Sequence, residues 1–158
     1  MAADPETIRT VLDLIPQQPP FRFIDSILHL DEDRVLGTCR FSREAFFYAG
    51  HFPGNPVTPG VILVEAMAQT GVVALGIFLM RCQGMSPDHI RRHLFLFAFA
   101  EEIVFERILG PGEQVMIRGE KIYYRRNQLK TRVVMFDEEN RRVCSGVLAG
   151  RGMNHNET

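Results

Sequence analysis

His51 and Glu65 are the side chains best suited to moving protons, and with Gln69 they lie in one stretch, GHFPGNPVTPGVILVEAMAQ, residues 50–69. Imidazole titrates near neutral pH and serves as a general base. A carboxyl group held among apolar side chains has its pKa pushed up and serves as a proton donor. Taken singly, each has a plainer reading: His51 as a shaper of its loop, Glu65 as a structural group facing a polar crevice. Together, on a stiff loop that runs into an apolar helix, they form a pair able to divide base and acid roles. Gln69 follows Glu65 by one helical turn, within reach of its carboxyl.

The loop and helix around these residues are the elements that must position them. Pro53, Pro56 and Pro59 fix φ, while Gly50, Gly54 and Gly60 permit unusual backbone angles, so the loop holds one shape. After Pro56 the chain should pass back by His51, placing the Val57 carbonyl to receive a ring N–H. Thr58 is the predicted N-cap, with Pro59 at the first helical position. The helix is predicted over about 59–81. It is apolar nearly all round (Val61, Ile62, Leu63, Val64, Ala66, Met67, Ala68), the pattern of a buried helix. Residues 61–80 match the length of a bilayer span, but Glu65, Gln69, Gly71 and Gly76 interrupt the profile, so no membrane segment is expected. Gly60, lacking a side chain in the first turn, is the candidate donor of a backbone N–H to a developing oxyanion.

Elsewhere the pattern predicts a short amphipathic helix over 5–14, begun by Asp4-Pro5-Glu6 and ended by Pro16. Residues 21–28 and 34–42 read as strands, the second with Val35, Gly37, Cys39 and Phe41 on its buried face. Phe46, Phe47 and Tyr48 are expected to pack the signature loop. Residues 82–93 read as a linker. Strands follow at 94–105, 114–124, 129–136 and 142–149, the middle pair joined at Arg125-Arg126-Asn127-Gln128. Residues 151–158 are expected to fray. The order (helix, two strands, one long helix, four strands) suits an α+β fold, an antiparallel sheet wrapped round one buried helix. No repeat or internal boundary is visible, so residues 1–158 read as one domain.

The chain has 158 residues, 46% hydrophobic and 23% charged, with a formal net charge of −1, so no general affinity for nucleic acid is expected. Cys39, Cys82 and Cys144 have neither zinc nor CxxC spacing, and the N-terminus does not read as a signal peptide. A reducing cytoplasm is the expected setting.

The run His-Phe-Pro-Gly-x-Pro-Val-x-Pro-Gly-Val followed by Glu-Ala-Met-Ala-Gln, at residues 51–69, resembles the active-site signature of FabZ-type 3-hydroxyacyl-acyl-carrier-protein dehydratases. The related dehydratase/isomerases carry Asp where this chain has Glu65. The resemblance is dense over 50–69 and looser over roughly 15–149. It implies the hotdog fold and conversion of 3-hydroxyacyl-acyl-carrier-protein to trans-2-enoyl product. It makes His51 the base and Glu65 the acid, and places Gly60, Val61 and Gln69 at the oxyanion and substrate. It also implies no cofactor or metal, acyl carrier protein as partner, and a homodimer with shared sites, which in such enzymes often assembles as three dimers. Arg91, Arg92, Arg125 and Arg126 are the basic residues proposed to meet the acidic carrier.

Two departures stand out. Gln17-Gln18 replaces a basic pair, and Phe99 replaces a glycine, where it would add bulk near the acyl tunnel. A hotdog acyl-thioesterase and a non-catalytic acyl-binding protein are the competing readings. Neither needs both His51 and Glu65 in a proline-rich loop and helix.

Overall fold

The computed structural model describes residues 1–154. The first helix, α1 (Pro5–Leu14), starts where Asp4 accepts the Thr7 N–H at 2.7 Å. Its Val11 and Leu14 are buried against the rest of the fold. The expected strand over 21–28 begins later: β1 is Ser26–Leu30. The Phe21 carbonyl and Phe23 N–H are instead taken at 2.8 Å each by the side chain of Gln69, which leaves that segment no strand partner. β2 (Arg34–Arg40) pairs antiparallel with β1 and buries Val35 and Cys39.

The central helix, α2 (Gly60–Cys82), is α-helical over Gly60–Ala68, π-helical over Gln69–Ala74 and α-helical again over Leu75–Cys82. Every residue from Ala66 to Met80 is buried. At about 1.5–3 kcal/mol for each large aliphatic side chain, this stretch is a main source of stability. It passes the length and hydropathy test for a membrane span, yet 83% of the apolar window is buried inside the fold. Gly71 permits the helix to touch the sheet, since a Cβ there would come within 2.6 Å of Val133. Thr58 is not the cap that was expected. Pro59 occupies the cap position, and the Thr58 hydroxyl is turned to the Tyr48 hydroxyl at 2.6 Å.

The predicted linker contains a short helix, α3 (Pro87–Ile90), capped by Ser86. Then come β3 (His93–Phe105), β4 (Gln114–Arg125), β5 (Gln128–Asp137) and β6 (Arg142–Asn154). The six strands form one antiparallel sheet in the order β1-β2-β4-β5-β6-β3. Arg126 and Asn127 turn the β4–β5 hairpin with φ of 50° and 58°. On β5, Leu129, Thr131, Val133 and Met135 face α2 with no exposure, and Lys130 and Arg132 alternate to the outer face.

Two further expectations fail. Residues Arg151–Asn154 do not fray: they extend β6 and pair with His93–Leu96. Residues 155–158 lie outside the described part. Phe99 does not point toward α2. A bulge between Phe97 and Phe99 sets Phe99 opposite Ala149 on the outer face, under Lys130 Nζ at 4.8 Å from the ring centroid. The bulk that replaces glycine covers the back of the sheet.

Candidate active site

His51 is held from several sides. Its N–H donates to the Phe47 carbonyl at 3.0 Å, and its carbonyl accepts the Val57 N–H at 2.8 Å. Nδ1 lies 2.9 Å from the Val57 carbonyl, as the return of the loop predicts. A carbonyl only accepts, so Nδ1 carries the hydrogen and Nε2 of the neutral ring presents a lone pair. The Phe52 ring stacks on the imidazole, centroids 4.1 Å apart. Below it, Tyr48 and Phe47 pack edge to face at 4.6 Å. Tyr48 is buried, whereas Phe46 is largely exposed and fixes less than expected. The Thr58 N–H donates to the Leu109 carbonyl at 2.8 Å and ties the end of the loop to the segment after β3.

Glu65 is half-buried where α2 passes from exposed to enclosed. Burial pushes its carboxyl above the usual range, opposed in part by a hydrogen bond from Gln69. That bond joins Gln69 Nε2 to Glu65 Oε1 at 2.9 Å. Gly60 and Val61 open the helix. The Pro59 carbonyl accepts the N–H groups of Ile62 and Leu63 at 2.9 and 3.2 Å. Neither the Gly60 nor the Val61 N–H has a partner among the described residues, so the helix start offers two free donors. A Cβ on Gly60 would lie 3.0 Å from the Phe105 ring, so a larger residue there would press on that half-exposed ring.

The structure therefore joins Glu65 to Gln69 and sets Gly60 and Val61 at the same helix end. It does not hydrogen-bond His51 to Glu65 within the chain. Sequence reasoning missed the main chain of Phe21 and Phe23 as part of the site. The available signal was the capacity of a buried Gln, which one carboxyl partner cannot satisfy. It also missed Arg151. That residue pairs with Gln128 and Leu96, and so stands at the same sheet end as Arg125 and Arg126 on the hairpin and Arg91 and Arg92 before β3. Arg91 is paired with Asp88 at 3.0 Å, and Arg125 stacks on Tyr123 at 4.9 Å. Among the described residues no group of three or more His, Cys, Asp or Glu converges on one point.

A family model described as a FabA-like domain matches residues 15–149. The 3-hydroxyacyl-acyl-carrier-protein dehydratase FabZ of Caldicellulosiruptor bescii is 35% identical over 143 residues, covering 89% of this chain and 94% of the relative. That of Yersinia enterocolitica is 35% identical over 153 residues, 94% of this chain and 85% of the relative. The chain belongs to the FabZ-type dehydratase family. Among solved structures, the dehydratase heterocomplex ApeI:P of Xenorhabdus doucetiae superposes with a TM-score of 0.76, at 13% identity and 93% coverage of both chains. A hypothetical thioesterase with coenzyme A from Streptococcus pneumoniae superposes with a TM-score of 0.56, at 13% identity, over 96% of this chain and 98% of that one. These likenesses establish the hotdog fold.

Proposed function

We propose that residues 1–158 form one dehydratase domain that converts 3-hydroxyacyl-acyl-carrier-protein to the trans-2-enoyl thioester in fatty-acid or related acyl-chain synthesis, without a cofactor. The observation that carries this reading is the contrast between two groups: an imidazole oriented as a base and a carboxyl whose hold on its proton burial strengthens. His51 Nε2 takes a proton from C2. The C2–H electrons form the C2=C3 bond, and the C3–O bond breaks. Glu65 protonates the departing hydroxyl, which leaves as water. The thioester oxygen gains charge as C2 loses its proton, and the free N–H of Gly60, beside Val61, stabilises it at the helix start. Transfer of the proton from His51 back to Glu65 resets the pair.

The site is completed across a twofold axis, with His51 of one chain facing Glu65 of the other. β3 is a long edge strand of 13 residues with nothing paired along its free side among the described residues. Phe97 and Phe105 on it are 47% and 52% exposed, and Val61 on α2 is 76% exposed. A long bare edge with exposed apolar residues is an unusual surface for an isolated chain. Antiparallel pairing of two β3 edges would set the arginine end of one protomer beside the Gly60 end of its partner. Acyl carrier protein, being acidic, would dock on Arg91, Arg92, Arg125, Arg126 and Arg151 near the mouth. A trimer of such dimers is the next level of assembly. A cytoplasmic setting accords with three free cysteines, two of them buried.

One assay tests the function: incubation with a 3-hydroxyacyl thioester, following enoyl absorbance and free thiol together. Enoyl formation supports the dehydratase. Thiol release without enoyl would make the protein a thioesterase, and neither would leave an acyl-binding protein.

A further inference from the structure

The Gln69 side chain is 0% exposed, and three hydrogen bonds use both of its donors and one lone pair of its oxygen. Nε2 gives one hydrogen to the Phe21 carbonyl at 2.8 Å and the other to Glu65 Oε1 at 2.9 Å, and its Oε1 accepts the Phe23 N–H at 2.8 Å. The direction of this amide is dictated by the main chain. The Phe23 N–H can only donate and the Phe21 carbonyl can only accept. A reversed amide would set donor against donor and acceptor against acceptor in a buried place. The atom that faces Glu65 is therefore always an N–H, and Glu65 Oε1 is always an acceptor. When Glu65 is protonated, its hydrogen is left to Oε2, which no group among the described residues engages.

We propose that Gln69 is a positioning residue that fixes the acidic proton of Glu65 on Oε2, and that the Phe21–Phe23 main chain sets the direction of this clamp. The proposal rests on Glu65 being the acid. A carboxylic acid without such a clamp divides its proton between two oxygens, and only one arrangement points it at the leaving hydroxyl. The clamp also acts after transfer. The N–H on Oε1 remains in place and stabilises the carboxylate, so it opposes the upward push of burial on Glu65.

Gln69→Met keeps the length of the side chain and removes both donors. We expect kcat for a 3-hydroxyacyl thioester to fall roughly 10–100-fold with KM changed less than about twofold. The alkaline limb of the kcat–pH profile, where the acid loses its proton, should move to higher pH. A merely structural amide would lower the yield of folded enzyme and leave that limb in place, so an unmoved limb overturns the proposal. Because the variant leaves two main-chain groups unpaired, a second measurement uses the intact protein. The infrared difference spectrum between low and high pH, wild type minus Glu65→Gln, isolates the Glu65 carboxyl stretch. A carbonyl that accepts an N–H absorbs at lower frequency than a free one. One lowered band is expected; a free-carbonyl band, alone or beside it, overturns the clamp. A fully active Glu65→Gln enzyme would remove the acid assignment and the proposal with it. An inactive Glu65→Gln beside an unmoved limb would keep the acid and remove only the clamp.

Discussion

From Ala66 to Met80, α2 buries every residue; from Gly60 to Glu65, on the same helix, Val61 is 76% exposed, Glu65 is half-buried and the first N–H groups have no partner among the described residues. The buried stretch carries stability and the open end carries the chemistry proposed above. A helix that is apolar all round gains free energy by burial at every position. The same helix can offer a carboxyl and free N–H groups only where that burial stops. The two halves should thus respond to mutation in separable ways.

The largest effect is expected at the open end. His51→Ala and Glu65→Gln should each lower kcat by at least about 10²-fold while the unfolding transition stays cooperative. Mixing the two inactive proteins under subunit exchange should restore about half of wild-type activity per mixed dimer, because a twofold assembly then contains one intact site. No recovery with exchange demonstrated would put both groups in one chain.

In the buried half, Leu75→Ala should remove about 2–5 kcal/mol from unfolding stability. Activity per folded molecule should hardly change. Loss of activity in fully folded protein would show that the two halves are coupled.

A smaller effect tests how the open end meets its partner. Charge reversal of Arg125 and Arg126 should raise KM for a carrier-linked substrate by roughly tenfold, chiefly through slower association, and spare a short thioester analogue. Equal changes on both substrates would remove the docking role.

The smallest effect is a pH dependence of stability. The folded pKa of Glu65 lies above the ordinary 4.5, so the native state holds its proton more tightly than the unfolded chain does. Stability from this group is greatest below 4.5 and is lost as pH rises through the folded value. Glu65→Gln should therefore be slightly more stable than wild type at pH above that range and equal to it at low pH. Thermal unfolding across pH reads this difference, and a gap that widens toward acid would refute the sign.

Much of this molecule is legible one residue at a time. The 50–69 signature, the loop carbonyl that orients His51, the long apolar helix and the Glu65–Gln69 spacing all follow from local rules of φ restriction and helical period. The strands were legible as alternation, and the two-residue hairpin at Arg126 and Asn127 as polar punctuation. Local rules do not say which distant group a buried atom meets. Gln69 binds Phe21 and Phe23 some 46 to 48 positions away, which removed those residues from a strand. A single bulge turned Phe99 from the expected tunnel to the outer face, because side chains alternate with period two and one extra residue reverses the face. Thr58 found the Tyr48 hydroxyl instead of the helix end. Arg151 joined the arginine end of the sheet only because β6 outruns its apolar alternation to pair with β3. Sequence alone determined which chemical groups stand at residues 50–69 and the kind of elements that hold them, since both depend on neighbours along the chain. Tertiary structure decided the face of Phe99, the partners of Gln69 and the company of Arg151, since pairing register and burial are settled between segments far apart in sequence.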